Sequence, residues 1–164
     1  MIDFVTKLLV TRRGHDSILI VVNRATKYCH FIPCIEKISA KEIAELYWNK
    51  VVYLDGMLWA IHSDQDVWFQ SQFWKELWKN SGTKLQFSTA YHPQSQGLVE
   101  RMNQVIEQVL RCSLDQEKCL KEWDKILPTI ELVVNNLVNK STGYLLFFLM
   151  HGHHLVMPLE LLRG

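Results

Sequence analysis

The apolar run from Ile18 to Val22 constrains the fold of this chain more than any other stretch. Every position in it is apolar, so a strand formed by it would be apolar on both faces and would need cover on both sides. Two similar stretches flank it, Ile2–Leu9 and Tyr28–Ile32, and polar links of hairpin length separate the three. The pattern therefore predicts three short strands in succession.

A helical pattern follows these strands. Ser39 and Glu42 have the spacing of a capping box, in which the hydroxyl accepts the third helical N–H and the carboxylate reaches back to the cap. Apolar residues then recur at intervals of three and four as a single stripe, formed by Ala40, Ile43, Ala44, Tyr47 and Val51. We expect this helix to end at Asp55-Gly56, because glycine breaks helices.

Strand and helix patterns alternate through the remainder of the chain. Strands are predicted at Leu58–His62 and Leu85–Phe87, and between them a helix with the apolar stripe Phe73, Trp74, Leu77 and Trp78. A long helix through Leu98, Met102 and Val109 follows. The last predicted helix runs from Trp123 to Leu137, with Pro128 marking its first turn or a kink. With 164 residues, 48% of them hydrophobic, this order predicts one α/β domain around a mixed sheet.

Composition excludes several classes of protein. The longest apolar runs, such as Tyr144–Met150, fall well short of the roughly 18 to 20 residues that cross a bilayer. No secretory signal opens the chain, so we expect an intracellular protein without a membrane partner. The four cysteines, at positions 29, 34, 112 and 119, form no Cys-x-x-Cys pair, which favours buried free thiols over a disulfide framework. The formal charge of +1 means that any affinity for DNA is local, weak or completed by another segment.

Three acidic residues stand where metal ligands would be needed. Asp3 lies on the first predicted strand, Asp64 follows the fourth, and Glu100 opens the long helix. If the first and fourth strands are neighbours, the three carboxylates converge, and divalent cations would remove their mutual repulsion. With 17 acidic residues in the chain, chance spacing and solvated surface positions explain such a set better than catalysis does when spacing alone is considered.

The residues around these carboxylates narrow the interpretation. The segment IHSDQD surrounds Asp64, and AYHPQSQGLVERMN surrounds Glu100. The opening IDFVT, the segment TKYCHFIP, the stretch FWKELW and the later STGY with FFLMHG complete a pattern that extends along nearly the whole chain. This pattern resembles the catalytic core of retroviral-type integrases, and in particular those of gypsy-class LTR retrotransposons.

The resemblance implies a fold, an activity and partners. The fold is an RNase H-like, five-stranded mixed sheet flanked by helices, and the activity is a polynucleotidyl transferase that processes 3′ ends of element DNA and joins them to target DNA. The catalytic and metal-binding residues implied are Asp3, Asp64 and Glu100, which would hold two Mg²⁺ or Mn²⁺ ions. The implied setting is the nucleus, with DNA and a second copy of the chain, as a homodimer or higher multimer, as partners and no small-molecule substrate.

The resemblance also implies a DNA-contacting loop before the long helix. The residues expected to touch DNA are Tyr91, His92, Gln94, Ser95, Gln96 and Arg101. Neutral donors and a stacking ring suit such contact because they add no negative charge. For Arg101 an exposed ion pair on its own helix is an equal alternative. We further expect the chain to be an excised core without the family's N-terminal zinc-binding and C-terminal DNA-binding modules.

Several positions depart from the family pattern. Leucine replaces proline at 9, 58, 146 and 155, leucine replaces serine at 145, asparagine replaces aspartate at 23, and tryptophan replaces arginine at 68. Each change corresponds to one cytosine-to-thymine transition or its complement, which is typical of decay in an ageing element copy. Two alternatives therefore stay open beside an active integrase: a domesticated or inactive module that binds nucleic acid or protein, and another nuclease or transposase of the same fold.

Four other candidates have simpler explanations. Asp66 competes with Asp64 but suits a turn-capping role. Cys29, His30 and Cys34 lack the four well-spaced ligands of a zinc site, and the residues around Cys29 and His30 form a predicted strand. The pair Arg12-Arg13 is a small footprint for phosphate, and the histidines at 151, 153 and 154 suit an exposed turn.

Overall fold

The computed structural model describes residues 1–56, 72–73, 75–77, 79, 121–140 and 142–155. Its elements are β1 (Ile2–Val5), β2 (Ser17–Val22), β3 (Cys29–Cys34), α1 (Ala40–Tyr47), a π-helical segment (Trp48–Val52), α2 (Tyr53–Asp55), α3 (Trp123–Asn135) and α4 (Leu146–His151). Positions 72–73, 75–77 and 79 are also helical. The strands predicted at 58–62 and 85–87 and the long helix predicted around 98–110 lie outside the described residues.

The three strands form an antiparallel sheet in the order β1-β2-β3. Ile2 pairs with Val21 at one end of the sheet, and Val22 pairs with Cys29 across the second hairpin. The prediction that β1 reaches Leu9 was wrong, because Lys7 adopts a left-handed φ of 61° that no strand accommodates. The strand therefore ends at Val5, and the third strand runs further than predicted, to Cys34.

The middle strand is covered on both faces, as predicted. Ile18, Ile20 and Val22 share a core with Trp123, Leu127, Ile130 and Val134 of α3, together with Met1, Val5, Cys29 and Phe31. Leu19 and Val21 share the opposite core with Ile2, Ile32, Cys34, Ile43, Ala44, Tyr47, Val51, Phe73 and Leu77. The described part of the chain is thus a three-layer arrangement of helix, sheet and helix.

The predicted capping box at the start of α1 is confirmed. The Ser39 hydroxyl accepts the Glu42 N–H, and Glu42 Oε2 accepts the Ser39 N–H at 2.9 Å. The predicted stripe is confirmed by the burial of Ile43, Ala44 and Tyr47 in α1 and of Val51 beyond it. The chain leaves α2 at Gly56, whose φ of 84° is a conformation that glycine adopts without steric cost.

The extension of α3 to Leu137 and the placing of Pro128 in its first turn were wrong, while the alternative of a kink at Pro128 stays a prediction. Pro128 lies inside the helix, beyond the first turn, although an interior proline removes a hydrogen bond. The helix ends at Asn135, and Leu137 is 51% exposed instead of extending the buried stripe. Burial of Leu127, Ile130 and Val134 keeps the helix continuous through the proline because tertiary packing outweighs local propensity.

Among the described residues, every helix is too short or too polar to traverse a lipid bilayer.

Candidate functional site

Asp3 is the one predicted metal ligand that the described residues contain. It lies on β1 opposite Ile20 of β2 and is partly buried. Its Oδ1 accepts the backbone N–H of Phe4 at 2.8 Å. Since hydrogen bonds to a carboxylate fix its orientation, β1 holds this group at a defined place on the sheet.

The other predicted site residues lie outside the described residues. These are the carboxylates Asp64 and Glu100 and the DNA-contacting set Tyr91, His92, Gln94, Ser95, Gln96 and Arg101. Within the ranges that the structure does describe, no three His, Cys, Asp or Glu side chains form a cluster able to hold a metal ion. The predicted convergence at Asp3 thus stays a prediction.

The described residues include a buried histidine that lies between two carboxylates. His30 on β3 contacts Asp55 of α2 through Nε2 at 2.5 Å and Glu131 of α3 through Nδ1 at 3.0 Å. The side chains of His30 and Asp55 are only 7% and 5% exposed. The His30 imidazole therefore connects β3 to α2 through one ring nitrogen and to α3 through the other.

The two carboxylates determine the protonation state of His30. Burial by itself would lower the pKa of this imidazole, but hydrogen bonds to Asp55 and Glu131, with their negative charges, raise it to about 9. His30 is therefore a cation at neutral pH, and both ring nitrogens donate. Both ring nitrogens are thus engaged by carboxylates of this chain, and within the described residues His30 belongs to no cluster able to hold a metal ion.

The two thiols on the same strand are protonated and buried. Cys29 and Cys34 are free and buried, as predicted. Burial raises the pKa of Cys29 far above that of a free thiol and raises the pKa of Cys34 to about 12. Within the described residues neither thiol belongs to a group of side chains able to hold a metal ion.

Side chains of α3 close the outer edge of β3. Asn135 acts as a strand would, because its Oδ1 accepts the Cys29 N–H at 2.9 Å and its Nδ2 donates to the Cys29 carbonyl at 2.8 Å. Glu131 Oε2 accepts the Phe31 N–H at 2.9 Å. Pro33 has no N–H to satisfy. The edge is thereby protected from pairing with another strand, which natural sheets commonly require.

The loop between β1 and β2 is fastened to the start of α3 by a second buried carboxylate. Asp124 Oδ2 contacts His15 Nδ1 at 2.8 Å, accepts the Thr11 hydroxyl at 3.3 Å and lies 3.9 Å from Arg13 Nε. The neighbouring Arg12 pairs with Glu122 at 3.2 Å. Both arginines of the Arg12-Arg13 pair thus face acidic groups of this chain.

Both histidine clusters line one cavity of about 570 Å³ along β3 and α3. His15 with Asp124 and His30 with Glu131 contribute its polar groups, and Leu46, Leu54 and Phe147 contribute apolar walls. Each of these histidines is already bonded to an acid. The two clusters therefore join β3 to α2 and α3, and the loop between β1 and β2 to α3.

Comparison with known proteins adds an independent finding. No protein-family model matches the chain. The chain is, however, homologous to a region of retrotransposon polyproteins. It is 30% identical over 160 residues, 97% of its own length, to the transposon Tf2-3 polyprotein of Schizosaccharomyces pombe, and equally so to the Tf2-4 polyprotein. The chain spans 12% of the length of each polyprotein.

Sequence reasoning missed the partners of His30 and His15. A histidine within an otherwise buried strand is a signal that acidic partners must exist, because an unpaired buried polar group is costly. The partners Asp55 and Glu131 lie 25 and 101 residues away in the sequence. No local pattern connects residues at such distances.

Proposed function

We propose that this chain is the catalytic core of a retrotransposon integrase: a divalent-metal-dependent polynucleotidyl transferase that processes the 3′ ends of element DNA and joins them to target DNA. The homology to retrotransposon polyproteins over 97% of the chain carries the proposal. The fold proposed with it is RNase H-like, with the described antiparallel strands forming one part of a five-stranded mixed sheet. Of the integrase subclasses, the gypsy class fits the sequence motifs best.

The proposed metal ligands are Asp3, Asp64 and Glu100. Carboxylate oxygens are the donors that Mg²⁺ and Mn²⁺ prefer, and Asp3 has one oxygen oriented by a backbone N–H. When bound, two such ions would supply charge stabilisation to the attacking and leaving oxygens of a phosphodiester. The contribution of the described residues would be to hold Asp3 in place on the doubly covered sheet.

The loop residues Tyr91, His92, Gln94, Ser95 and Gln96, with Arg101 after them, are proposed to contact the DNA. Their donors and ring would position the scissile phosphate and the adjacent base, which is the role of orientation in catalysis. Because the formal charge is only +1, we propose that this domain carries out the reaction and that other segments or copies provide much of the affinity for DNA. We accordingly propose action in the nucleus, in a homodimer or larger multimer.

Disintegration of a branched DNA substrate in the presence of Mn²⁺ tests the proposal. The parent chain is compared with Asp3→Asn and Glu100→Gln, which keep side-chain shape but remove a charged ligand. We expect metal-dependent product from the parent and loss of at least about 100-fold in each variant, since loss of a ligand disables the assembled site. Asp66→Asn is the matched control and is expected to retain activity.

The pattern of results separates the alternatives. Equal, metal-independent signals from the parent and Glu100→Gln would end the catalytic interpretation and leave a domesticated or inactive module of the same fold. Loss of activity in Asp66→Asn with retention in an Asp64→Asn variant would instead reassign the second ligand. Full activity in Asp3→Asn would remove β1 from the site.

A further inference from the structure

Three aromatic rings are stacked on the surface beyond α3. The rings of Tyr144 and Phe148 lie 5.5 Å apart at an interplanar angle of 19°, and those of Phe148 and His154 lie 4.7 Å apart at 26°. Tyr144 is 55% exposed and His154 is also exposed. We refer to Tyr144, Phe148 and His154 as the ring stack. Its two terminal residues, Tyr144 and His154, are thus both exposed.

The ring stack is held on a fixed base. The Asn139 N–H donates to the Tyr144 carbonyl at 2.7 Å, and the Leu146 N–H donates to the Leu137 carbonyl at 3.1 Å. Leu146 itself is only 4% exposed. These contacts fix the segment before α4 to the end of α3, so the rings are already positioned before any ligand arrives, which lowers the entropic cost of binding.

A second group of rings continues the surface toward β3. Phe147 lies 4.4 Å from His151 and 5.3 Å from His153 between ring centroids, and Tyr28 lies 5.1 Å from His151. The residues at 147 and 151 belong to the same short helix as Phe148. Aromatic groups therefore extend from the ring stack to the turn that joins β2 and β3.

The two segments that carry these rings contain cations and no acidic residue, and the nearest acids among the described residues are Glu131 and Asp55, which are paired with His30 beside Tyr28. Residues 132–155 contain Lys140 and three histidines but no Asp or Glu, and residues 23–35 contain Arg24 and Lys27 but no Asp or Glu. The two segments meet where the Asn23 and Thr26 side chains donate to Met150 Sδ of α4. In a chain with 17 acidic residues, this surface suits a polyanion.

We propose that the ring stack is a stacking platform for unpaired bases of single-stranded DNA, separate from the predicted loop at residues 91–96. Exposed rings with neighbouring cations are the combination by which proteins bind single strands without sequence preference. The choice of DNA over RNA rests on the proposed function. The site itself rests on the ring geometry and the local charge.

Fluorescence anisotropy with labelled dT20 tests this proposal, with EDTA present so that metal-dependent binding and cleavage make no contribution. A matched abasic 20-mer keeps the phosphates and lacks the bases. We expect the parent chain to bind dT20 at least fivefold more tightly than the abasic strand. Tyr144→Ala and Phe148→Leu should each weaken dT20 binding roughly tenfold and leave abasic binding unchanged.

Two further variants keep the result interpretable. Tyr144→Trp preserves the stacking surface and is expected to retain dT20 affinity. Tyr53→Ala removes a tyrosine that is 81% exposed on α2 and is expected to have no effect. Equal weakening by Tyr144→Ala and Tyr53→Ala, or equal affinity for dT20 and the abasic strand, would overturn the proposal.

Sedimentation of the same variants examines the competing occupant, a second copy of this chain. A fall in mass from dimer to monomer in Tyr144→Ala, without a change in dT20 binding, would reassign the rings to a protein interface and refute the platform. Asp3→Asn keeps this inference distinct from the proposed function. It is expected to lose disintegration activity while binding dT20 as the parent does.

Discussion

Replacing His30 by glutamine removes the cation that two buried carboxylates surround, and it leaves Asp55 and Glu131 without their shared donor. The pKa of His30 rises from 6.5 to about 9 on folding. Each pKa unit corresponds to about 1.4 kcal/mol, so protonated His30 stabilises the folded state by about 3 kcal/mol. The side chain is 7% exposed, so solvent screening reduces this value little.

The sign of the pH dependence follows from the direction of the shift. Because the folded-state pKa lies above the unfolded one, the stabilisation is fully present below pH 6.5 and is lost as the pH rises to about 9. The amino group of Met1 acts in the opposite sense, since burial and the charges of Arg24 and Lys27 lower its pKa from 8.0 to about 6. Its contribution makes the protein more stable as the pH rises through that interval.

Urea unfolding followed by circular dichroism, at pH values from 6 to 10, measures the His30 contribution. The difference in free energy of unfolding between parent and His30→Gln cancels the Met1 contribution. We expect this difference to be about 3 kcal/mol at pH 6.5 and to fall steeply by pH 9.5. His153→Gln, a change at an exposed histidine, is the control and should follow the parent. Parallel curves for parent and His30→Gln across the whole interval would refute the reasoning.

Three further changes probe local structure. Asn135→Leu removes both hydrogen bonds to the Cys29 backbone. We expect it to lower the free energy of unfolding in urea by about 2 to 3 kcal/mol, whereas the same change at the exposed Asn49 should lower it by under about 0.5 kcal/mol. Equal losses in the two variants would show that the edge of β3 needs no partner. Ser39→Ala breaks the capping box and should lower the free energy of unfolding by about 1 kcal/mol, and an unchanged value would contradict the role of the cap. Leu145 caps α4 without a side-chain hydrogen bond, so Leu145→Ser should be about 1 kcal/mol more stable than Leu145→Ala in thermal unfolding; a serine variant no more stable than alanine would exclude the hydroxyl as a cap.

Local patterns predicted those parts of the described fold that depend on neighbours in sequence. The capping box at Ser39, the stripe through Ile43 and Tyr47, and the stop at Gly56 each involve residues a few positions apart. Periodicity also identified the three strands, but not their ends. β1 ends before Lys7, whose backbone is left-handed, and the next residue, Leu8, donates its N–H to the Asp16 carbonyl just before β2.

The structure explains some of the positions at which this chain departs from the sequence pattern that it resembles. Leu145 and Leu146 occupy the cap and first position of α4, where serine and proline are both favoured. The Leu146 N–H nevertheless donates to the Leu137 carbonyl, a bond that proline could not make. At Asn23, the side-chain Oδ1 accepts the N–H groups of Ala25 and Thr26, a role that aspartate fills equally well.

The candidate site likewise has a part that the sequence predicts and a part that only the structure shows. Sequence motifs alone predict Asp3, Asp64 and Glu100, because the proposed metal-dependent chemistry would require particular residue types at recognisable positions. The His30 cluster and the pairing of Asn135 with Cys29 depend on contacts across 25 to 106 residues. Such contacts have no local signature.

The amino-acid sequence by itself determined the strand and helix types, the double coverage of β2 and the motifs that link the chain to transposon polyproteins, since each is written in residue spacing and hydrophobicity. Only the tertiary structure decided which buried charge meets which partner, where β1 stops, how α3 closes the edge of β3, and that Tyr144, Phe148 and His154 stack. These outcomes depend on distances in space between segments far apart along the chain, which packing of the whole domain fixes.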